Sequence, residues 1–395
     1  MDLLLNKNIA GKKVLVRVDF NVPLSECFEI IDDNRIVSAL PTIKKLISLK
    51  AKVILMSHLG RPEKGEVKFS LSHVVNHLSK LLSQRVFFSQ NCVGKEAVDK
   101  VSLLNNGEVL VLENLRYHKE EKMGDKIFAK KLASLADIYV NDAFGTAHRE
   151  HASTAIISSY FPNNKYLGIL FKKELKSLRK VVESSEKPFT AIIGGAKISS
   201  KIDVITSLIE KVDNLIIGGG MSYTFAKAQG GEVGMSILEK NKIEVAKSII
   251  QKCKDKKVNL LLPIDSVNSN KFSNESVISE SSILKINRDQ IGMDIGPKSI
   301  RLFTEAIKKS KTIVWNGPMG VFEMSNFERG TKEIALAICE STKNGAFSLV
   351  GGGDSTSAVK KYGLKDRVSY VSTGGGAMLK FLEGGELCAV KAISQ

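Results

Sequence analysis

Residues 188–201 read PFTAIIGGAKISSK. An apolar, β-branched run stops at two glycines, a lysine follows, and a second lysine stands four residues further on. A strand that ends at glycines and gives way to a helix is the opening half of a β-α-β unit, and a series of such units makes a parallel sheet. Glycines and lysines at a strand end also suit a phosphate. The spacing nevertheless departs from the G-x-x-x-x-G-K-[ST] pattern of a loop that wraps a triphosphate. Alone, the octapeptide GGAKISSK fits a tight turn with two solvated lysines equally well, so the rest of the chain has to decide.

Outward from this segment the same plan repeats. NLIIGGG, NLLLPID, TIVWNGP, FSLVGGG and VSYVSTGGG follow it, and KVLVRVDF, AKVILMSH, RVFFSQ, EVLVLENL and DIYVNDAF precede it. Between the earlier runs lie IVSALPTIKKLISLK, SLSHVVNHLSKLLS and DKIFAKKLASLA, whose apolar residues recur at helical spacing. Strands alternating with helices predict an α/β fold of two lobes, each a parallel sheet flanked by helices. The polar helical stretch 172–187, ending before Pro188, joins them. The expected organisation is a first lobe over 1–170, a hinge helix over 171–187, a second lobe over 188–385, and a cleft between the lobes.

The formal charge of +16 on 395 residues admits nucleic acid or acidic membranes as partners. Its carriers are mostly lysines spread through the predicted helices, which is the pattern of solvated faces, and no aromatic-interleaved basic patch appears. Small anionic substrates also gain from such a field. The five cysteines contain no C-x-x-C pair, so neither a disulfide framework nor a zinc site is expected. No signal-peptide pattern and no membrane-length apolar run is present, so a cytoplasmic protein is expected.

Ligands of parallel sheets gather beyond the carboxyl ends of the strands. There the first lobe offers Asp19, Asn21, His58, Arg61, Arg116 and Arg149, with Arg35 opening a helix. Guanidinium forks pair with two oxygens of a phosphate or carboxylate at once, and several converging together require an anion. The second lobe offers glycines instead: Gly194-Gly195, Gly218-Gly219-Gly220, Gly317 with Gly320, Gly351-Gly352-Gly353 and Gly374-Gly375-Gly376. Such clusters at helix starts let bare N–H groups meet phosphate. No full G-x-G-x-x-G occurs, so the dinucleotide fingerprint is missing. Asp354 is placed to meet magnesium, and Glu323 to accept from ribose hydroxyls or merely to face solvent. His73 and His77, four residues apart at a metal-like spacing, have no carboxylate or cysteine beside them and read as surface or packing residues. One cationic lobe and one nucleotide-like lobe point to phosphoryl transfer.

Taken together, VLVRVDFNVP, SHLGRP, LENLRYH, NDAFGTAHREHAS, KPFTAIIGGAKISSKI, IIGGGMSYTF, MDIGP, WNGPMGVFE, GGGDS and STGGGAMLKFLEGG resemble the phosphoglycerate kinase family, in order and along essentially the whole chain. The resemblance implies reversible transfer of a phosphoryl group from 1,3-bisphosphoglycerate to MgADP, giving 3-phosphoglycerate and ATP, with Mg2+ carried by the nucleotide. It puts Asp19, Phe20, Asn21, Arg35, His58, Leu59, Gly60, Arg61, Arg116 and Arg149 at the phosphoglycerate site. It puts Gly194, Gly195, Lys197, Lys201, Gly218, Gly219, Gly292, Asn316, Glu323, Gly352, Gly353, Asp354 and Ser355 at the nucleotide site. Arg35, Lys197, Gly374 and Gly375 become the catalytic set, and Asp354 the magnesium partner. A carboxylate leaving group is weakly basic, so no general acid is required. The resemblance also implies a monomer whose C-terminal tail, 386–395, packs back on the first lobe.

Three positions depart from the family pattern. Ser200 stands where aspartate is common, Lys380 where glutamate is common, and Cys388-Ala389 where proline-glycine is usual. None of these removes a ligand of substrate or phosphate. Two other functions remain open to the same sequence. One is a kinase for a different small acid on this scaffold; the other is nucleic-acid binding through the net charge.

Overall fold

A computed structural model describes residues 8–394. The chain divides into two compact units. One runs to Lys176 and includes the segment from Glu386 onward; the other runs from Ser177 to Gly385. The division falls inside one helix, Ile169–Glu183. That helix starts earlier and stops sooner than the polar stretch 172–187 suggests. Its first turn is tied down by Asp142, whose Oδ1 accepts from the Phe171 amide at 3.1 Å. Beyond it come two serines, which compete for backbone hydrogen bonds.

In the first unit, β1 (Lys13–Arg17), β2 (Lys52–Met56), β3 (Val86–Ser89), β4 (Val109–Leu112), β5 (Ile138–Asn141) and β6 (Lys165–Leu167) form one sheet in the order β3-β4-β2-β1-β5-β6. Every pairing in it is parallel. The register sets Leu15 beside both Ile54 and Tyr139. Alternate side chains feed two separate cores: Val14, Val16, Val53 and Val140 pack on one face, and Leu15, Ile54, Leu110 and Tyr139 on the other. Burial on both faces explains why these strands read as unbroken apolar runs.

The second unit repeats the scheme with β7 (Phe189–Ile193) and β8 (Asn214–Ile217). Then come β9 (Glu232–Val233), β10 (Asn259–Leu261), β11 (Asp265–Ser269), β12 (Ile278–Ser282), β13 (Lys285–Ile286), β14 (Ile291–Ile295), β15 (Thr312–Asn316), β16 (Phe347–Val350) and β17 (Tyr370–Val371). Its main sheet has the order β10-β8-β7-β15-β16-β17, all parallel. Two small additions escape the sequence pattern. β11 leaves the run NLLLPID after Pro263 and pairs antiparallel with β12 and β14, and β9 pairs with β13. Their segments, DSVNS and ISESS, are too polar and serine-rich for alternation to show.

The segment from Glu386 ends in a short helix, Cys388–Ser394, seated on the first unit. The Ala389 amide donates to the Ala147 carbonyl at 3.0 Å, and Lys165 donates to the Ala392 carbonyl at 3.0 Å. His73 and His77 take structural partners: His73 bonds the Val67 carbonyl at 2.8 Å, and His77 meets Asp33 at 3.0 Å. No helix among the described residues is long and apolar enough to cross a membrane.

Candidate active site

In the first sheet, β1 lies between β2 and β5, and the chain leaves the carboxyl ends of these strands through short polar loops. Asp19 and Asn21 follow β1, His58 follows β2, Arg116 follows β4, and Arg149 lies beyond β5. Asp19 Oδ2 receives Arg35 NH1 at 2.9 Å, and its Oδ1 lies 4.0 Å from His58 Nδ1. Asn21 Oδ1 accepts from the Gly60 amide at 2.8 Å, and Arg116 donates to the Gly60 carbonyl at 2.5 Å. Gly60 itself has φ +61°, and a Cβ there would overlap the Phe69 ring at 2.3 Å, so this turn accepts only glycine.

Arg17, at the end of β1, is the residue that sequence reading passed over. It is 1% exposed and gives Nε to Ser153 Oγ at 2.9 Å, NH1 to the Val18 carbonyl, and NH2 to His58 Nδ1 at 3.2 Å. Ser153 passes its own proton to buried Glu121 at 2.6 Å. The available signal was a charged residue inside KVLVRVDF, a strand expected to be covered on both faces. Because a guanidinium can only donate, Nδ1 of His58 accepts, and the ring keeps its single proton on Nε2. The charge state agrees. Burial first, and then the guanidiniums of Arg17, Arg116, Arg35 and Arg149, hold His58 well below the usual imidazole range.

The same neighbours act on one another. Burial, followed by Arg149 and Arg17, brings Arg116 down to about 10, while Asp19 and Glu121 oppose the shift. Burial, then Arg17, Arg149 and Arg116, lowers His151 to about 4. Four arginines therefore share one field with Asp19 and Glu121 as its carboxylates. This leaves an excess of positive charge that an anion would balance. Arg61 is exposed, at the rim of the turn. Phe20 and Leu59 are buried in the core, with their amides already given to Ser57 Oγ at 2.8 Å and Asn114 Oδ1 at 3.2 Å. They shape the turns and present no side chain to a ligand.

In the second unit, GGAKISSK follows β7, which lies between β8 and β15. Lys197 is extended and exposed; a short 3-10 turn, Ile198–Ser200, separates it from Lys201. The two lysines are therefore not on one continuous α-helix, and they differ in character. Lys201 points inward, and its three protons go to the Gly194 carbonyl (2.6 Å), the Asn316 carbonyl (3.0 Å) and Asn316 Oδ1 (2.6 Å). Burial lowers its pKa to about 8, with Asp354 opposing, so it remains cationic at neutral pH. Ser200 closes the turn by donating to the Lys197 carbonyl at 3.0 Å.

Around this lysine the glycine loops lock together. Asn316 Nδ2 donates to the Gly351 carbonyl at 2.9 Å, and the Gly317 amide donates to Ser355 Oγ at 2.5 Å. A Cβ at Gly194 would meet the Pro318 carbonyl at 2.1 Å, and one at Gly218 would meet Met319 Sδ at 2.4 Å. Gly219, φ +68°, sits against the Gly195 backbone, and Gly375 against Gly352. Most of these glycines are therefore demanded by loop-on-loop packing, so the bare-backbone reading of every cluster is too broad. Gly353 is different. It is exposed, opens the helix Gly353–Lys361, and nothing lies within 4 Å of its missing Cβ. Asp354 follows, also exposed, while Ser355 is buried.

Gly292 and Glu323 stand one loop away. Gly292, in β14, packs under Tyr223, whose hydroxyl would lie 2.1 Å from a Cβ there. Glu323 is exposed on the turn that the Val321 amide fastens to the Met293 carbonyl at 2.9 Å. Buried Asp294, unnoticed in the sequence, pins that region: it accepts the amides of Ile295 (2.9 Å) and Gly330 (2.6 Å), and burial pushes its pKa up to about 7.

Comparison with known proteins bears on both clusters. The family model described as Phosphoglycerate kinase matches residues 4–385. Proteins named phosphoglycerate kinase from Porphyromonas gingivalis and Clostridium botulinum are 50% and 51% identical to this chain. Each alignment covers 98% of the chain, and 98% and 97% of the respective relatives. The solved structure of phosphoglycerate kinase from Coxiella burnetii superposes with a TM-score of 0.87 at 40% identity, covering 99% of this chain and 98% of that one. With the family's pattern spanning both the arginine-lined and the glycine-lined loops, the chain belongs to the phosphoglycerate kinase family.

Proposed function

We propose that the arginine cluster binds the phosphoglycerate and the glycine loops bind the nucleotide of a phosphoglycerate kinase reaction. The chain is a phosphotransferase of this family, exchanging a phosphoryl group between 1,3-bisphosphoglycerate and ADP to give 3-phosphoglycerate and ATP. The observation that carries the site assignment is the uncompensated cationic field shared by Arg17, Arg35, Arg116 and Arg149 around neutral His58. Arginine forks take the phosphate and carboxylate of the substrate, and the Nε2 proton of His58 donates to one of its oxygens. Asn21 and Asp19 fix the turn and the Arg35 fork; Arg61 adds charge at the rim.

On the nucleotide side, the first amides of the helix Gly353–Lys361 meet phosphate oxygens, aided by the helix dipole. Lys201 supplies charge beneath the Gly194-Gly195 turn, and exposed Lys197 accompanies the moving phosphoryl group. Gly374 and Gly375, at the start of the helix Gly375–Leu382, add amides. Glu323 accepts from the ribose. Asp354, a lone exposed carboxylate, suits Mg2+ that arrives on phosphate and keeps most of its waters. When bound, that ion would be held on the protein side by Asp354 and would offset negative charge on the phosphates. Arg35 and Lys197 stabilise charge on the phosphoryl group in transit, and the carboxylate leaving group needs no acid. Transfer requires the two ligands to be brought into line with water excluded, and the helix Ile169–Glu183 is the hinge we assign to that motion. The enzyme is read as a cytoplasmic monomer.

The test is consumption of ATP with 3-phosphoglycerate, coupled to reduction of the acyl phosphate product. Turnover with that acid is expected. Activity with another small acid, and none with this one, would redirect the assignment of the arginine cluster.

A further inference from the structure

Two buried residues fasten the arginine cluster of the first unit from behind. Glu121, 1% exposed, lies on the short helix Lys119–Met123, just after the turn that carries Arg116. Ser153 is fully buried in the segment that follows Arg149. Both Glu121 oxygens serve Ser153: Oε2 accepts its amide at 3.0 Å and Oε1 its hydroxyl at 2.6 Å. The Ser153 carbonyl is held as well, by the Tyr139 hydroxyl at 2.8 Å. The Ser153 hydroxyl in turn accepts from Arg17 Nε at 2.9 Å, and Arg17 NH2 donates to His58 Nδ1 at 3.2 Å. A carboxylate only accepts and a guanidinium only donates, so every proton along Glu121, Ser153, Arg17 and His58 has one place to be. A carboxylate neutralises a guanidinium best by pairing with its fork directly. Here the interposed hydroxyl aims the guanidinium and leaves its charge to the ligand side.

We propose that Glu121 and Ser153 are positioning residues for the phosphoryl-transfer reaction, a reading that rests on the arginine cluster being the phosphoglycerate site. Held at Nε by Ser153 and at NH1 by the Val18 carbonyl, the Arg17 guanidinium cannot pivot, and its NH2 stays on His58 Nδ1. A rival partner for that nitrogen is close by, since Asp19 Oδ1 lies 4.0 Å from it. Were Arg17 free to turn, this carboxylate would draw the ring proton to Nδ1. Nε2 would then face the substrate oxyanion with a lone pair in place of a donor. The pair therefore protects the tautomer in which Nε2 donates. It also joins the stretch bearing Arg116 to the stretch bearing Arg149, and the Ala152 amide, donating to the Glu121 carbonyl at 3.0 Å, reinforces that joint. Both residues act through Arg17.

Ser153→Ala tests the pair in the full chain, because it deletes the hydroxyl and keeps the backbone amide on Glu121. Nitrogen NMR of histidine-labelled protein reads the tautomer, with the His58 signals identified by their loss in His58→Gln. Wild type is expected to carry the His58 proton on Nε2, and Ser153→Ala to show a substantial population protonated on Nδ1. Glu121→Gln should shift the tautomer the same way, since an amide offers one oxygen to the two donors of Ser153. The calorimetric Kd for 3-phosphoglycerate is expected to rise about tenfold or more in Ser153→Ala, as when a hydrogen bond to a charged group is lost. The Kd for MgADP, assigned to the second unit, should stay as it is. A His58 tautomer unchanged in both variants overturns the proposal, whatever happens to Tm, because a purely structural pair would lower Tm and leave the tautomer alone. The tautomer is read without ligand, so wild type that fails to bind 3-phosphoglycerate would instead withdraw the site assignment.

Discussion

Arg35 reaches Asp19 at 2.9 Å from a half-exposed position, while Asp19 is almost buried beside His58. Removing the guanidinium leaves Asp19 among other cations, so the fold persists and the loss falls on chemistry. Arg35→Ala should lower kcat by at least ~100-fold, as loss of a transition-state donor does. A near-normal kcat with only a raised KM in steady-state kinetics would reduce Arg35 to ground-state binding. Lys201 makes a different prediction because all its protons are committed to the Gly194 and Asn316 loops. Its charge acts through those loops, and Lys201→Ala should raise the calorimetric Kd for MgADP by about tenfold or more, the effect of losing a charged hydrogen-bonding group. Unchanged affinity would remove Lys201 from the nucleotide site. Single positions were legible in the sequence where a side chain ended a strand, as with Asp19, His58 and Arg116. Arg17 was not, since a strand pattern records which residues are apolar and not where a buried charge finds its acceptors.

A helix start behaves as a phosphate site only if the backbone there is open, and the helix Gly353–Lys361 meets that condition. Space exists for a methyl group at Gly353, whereas at Gly218 and Gly194 a methyl would strike Met319 or the Pro318 carbonyl. Gly353→Ala should therefore leave Tm within a few degrees, because alanine costs nothing against glycine at a helical position. The same methyl would stand between the first amides and a phosphate, raising the Kd for MgADP by at least about tenfold. Unaltered affinity, measured by calorimetry beside a melting curve, would take the nucleotide off this helix. Strand-glycine-helix units were plain in the sequence because β7, β8, β15 and β16 each couple an apolar run to a glycine turn. What the glycines were for was not plain. Packing contacts between loops far apart in the chain, such as Gly194 against Gly317, leave the same letters as ligand contacts. The serine-rich strands β11 and β12 were lost for the converse reason, having no apolar face to announce them.

At the scale of the molecule, the sequence shows two blocks of β-α repeats but not where one unit yields to the next. The helix Ile169–Glu183 is periodic throughout, and periodicity does not reveal that its first turns pack with one block. Asp142 anchors that helix start, with the Phe171 amide on its Oδ1 and Gly168 close against it. Burial pushes its pKa from 3.8 up to about 7. In the interval between those values the native chain holds a proton that the unfolded chain has released, so stability falls as pH rises through it and levels off above it. Histidines run the other way. His58, held well below its usual range, and His151, lowered to about 4, release their protons in the native state before the unfolded chain does near 6.5. Their contribution rises with pH across much of the same window and masks the carboxylate in the wild-type profile. Asp142→Asn separates the two, because the amide oxygen still accepts from Phe171 while the titration disappears. Asp294, with both its oxygens engaged by Ile295 and Gly330, would lose an acceptor on the same change and confound the comparison. Urea unfolding of wild type and Asp142→Asn from pH 4 to pH 8 should show the variant gaining on the wild type by roughly 2 kcal/mol or more as pH rises to 7, and no further. A difference that stays constant with pH would mean that Asp142 is ionised in the native fold and that its carboxylate is satisfied where it stands.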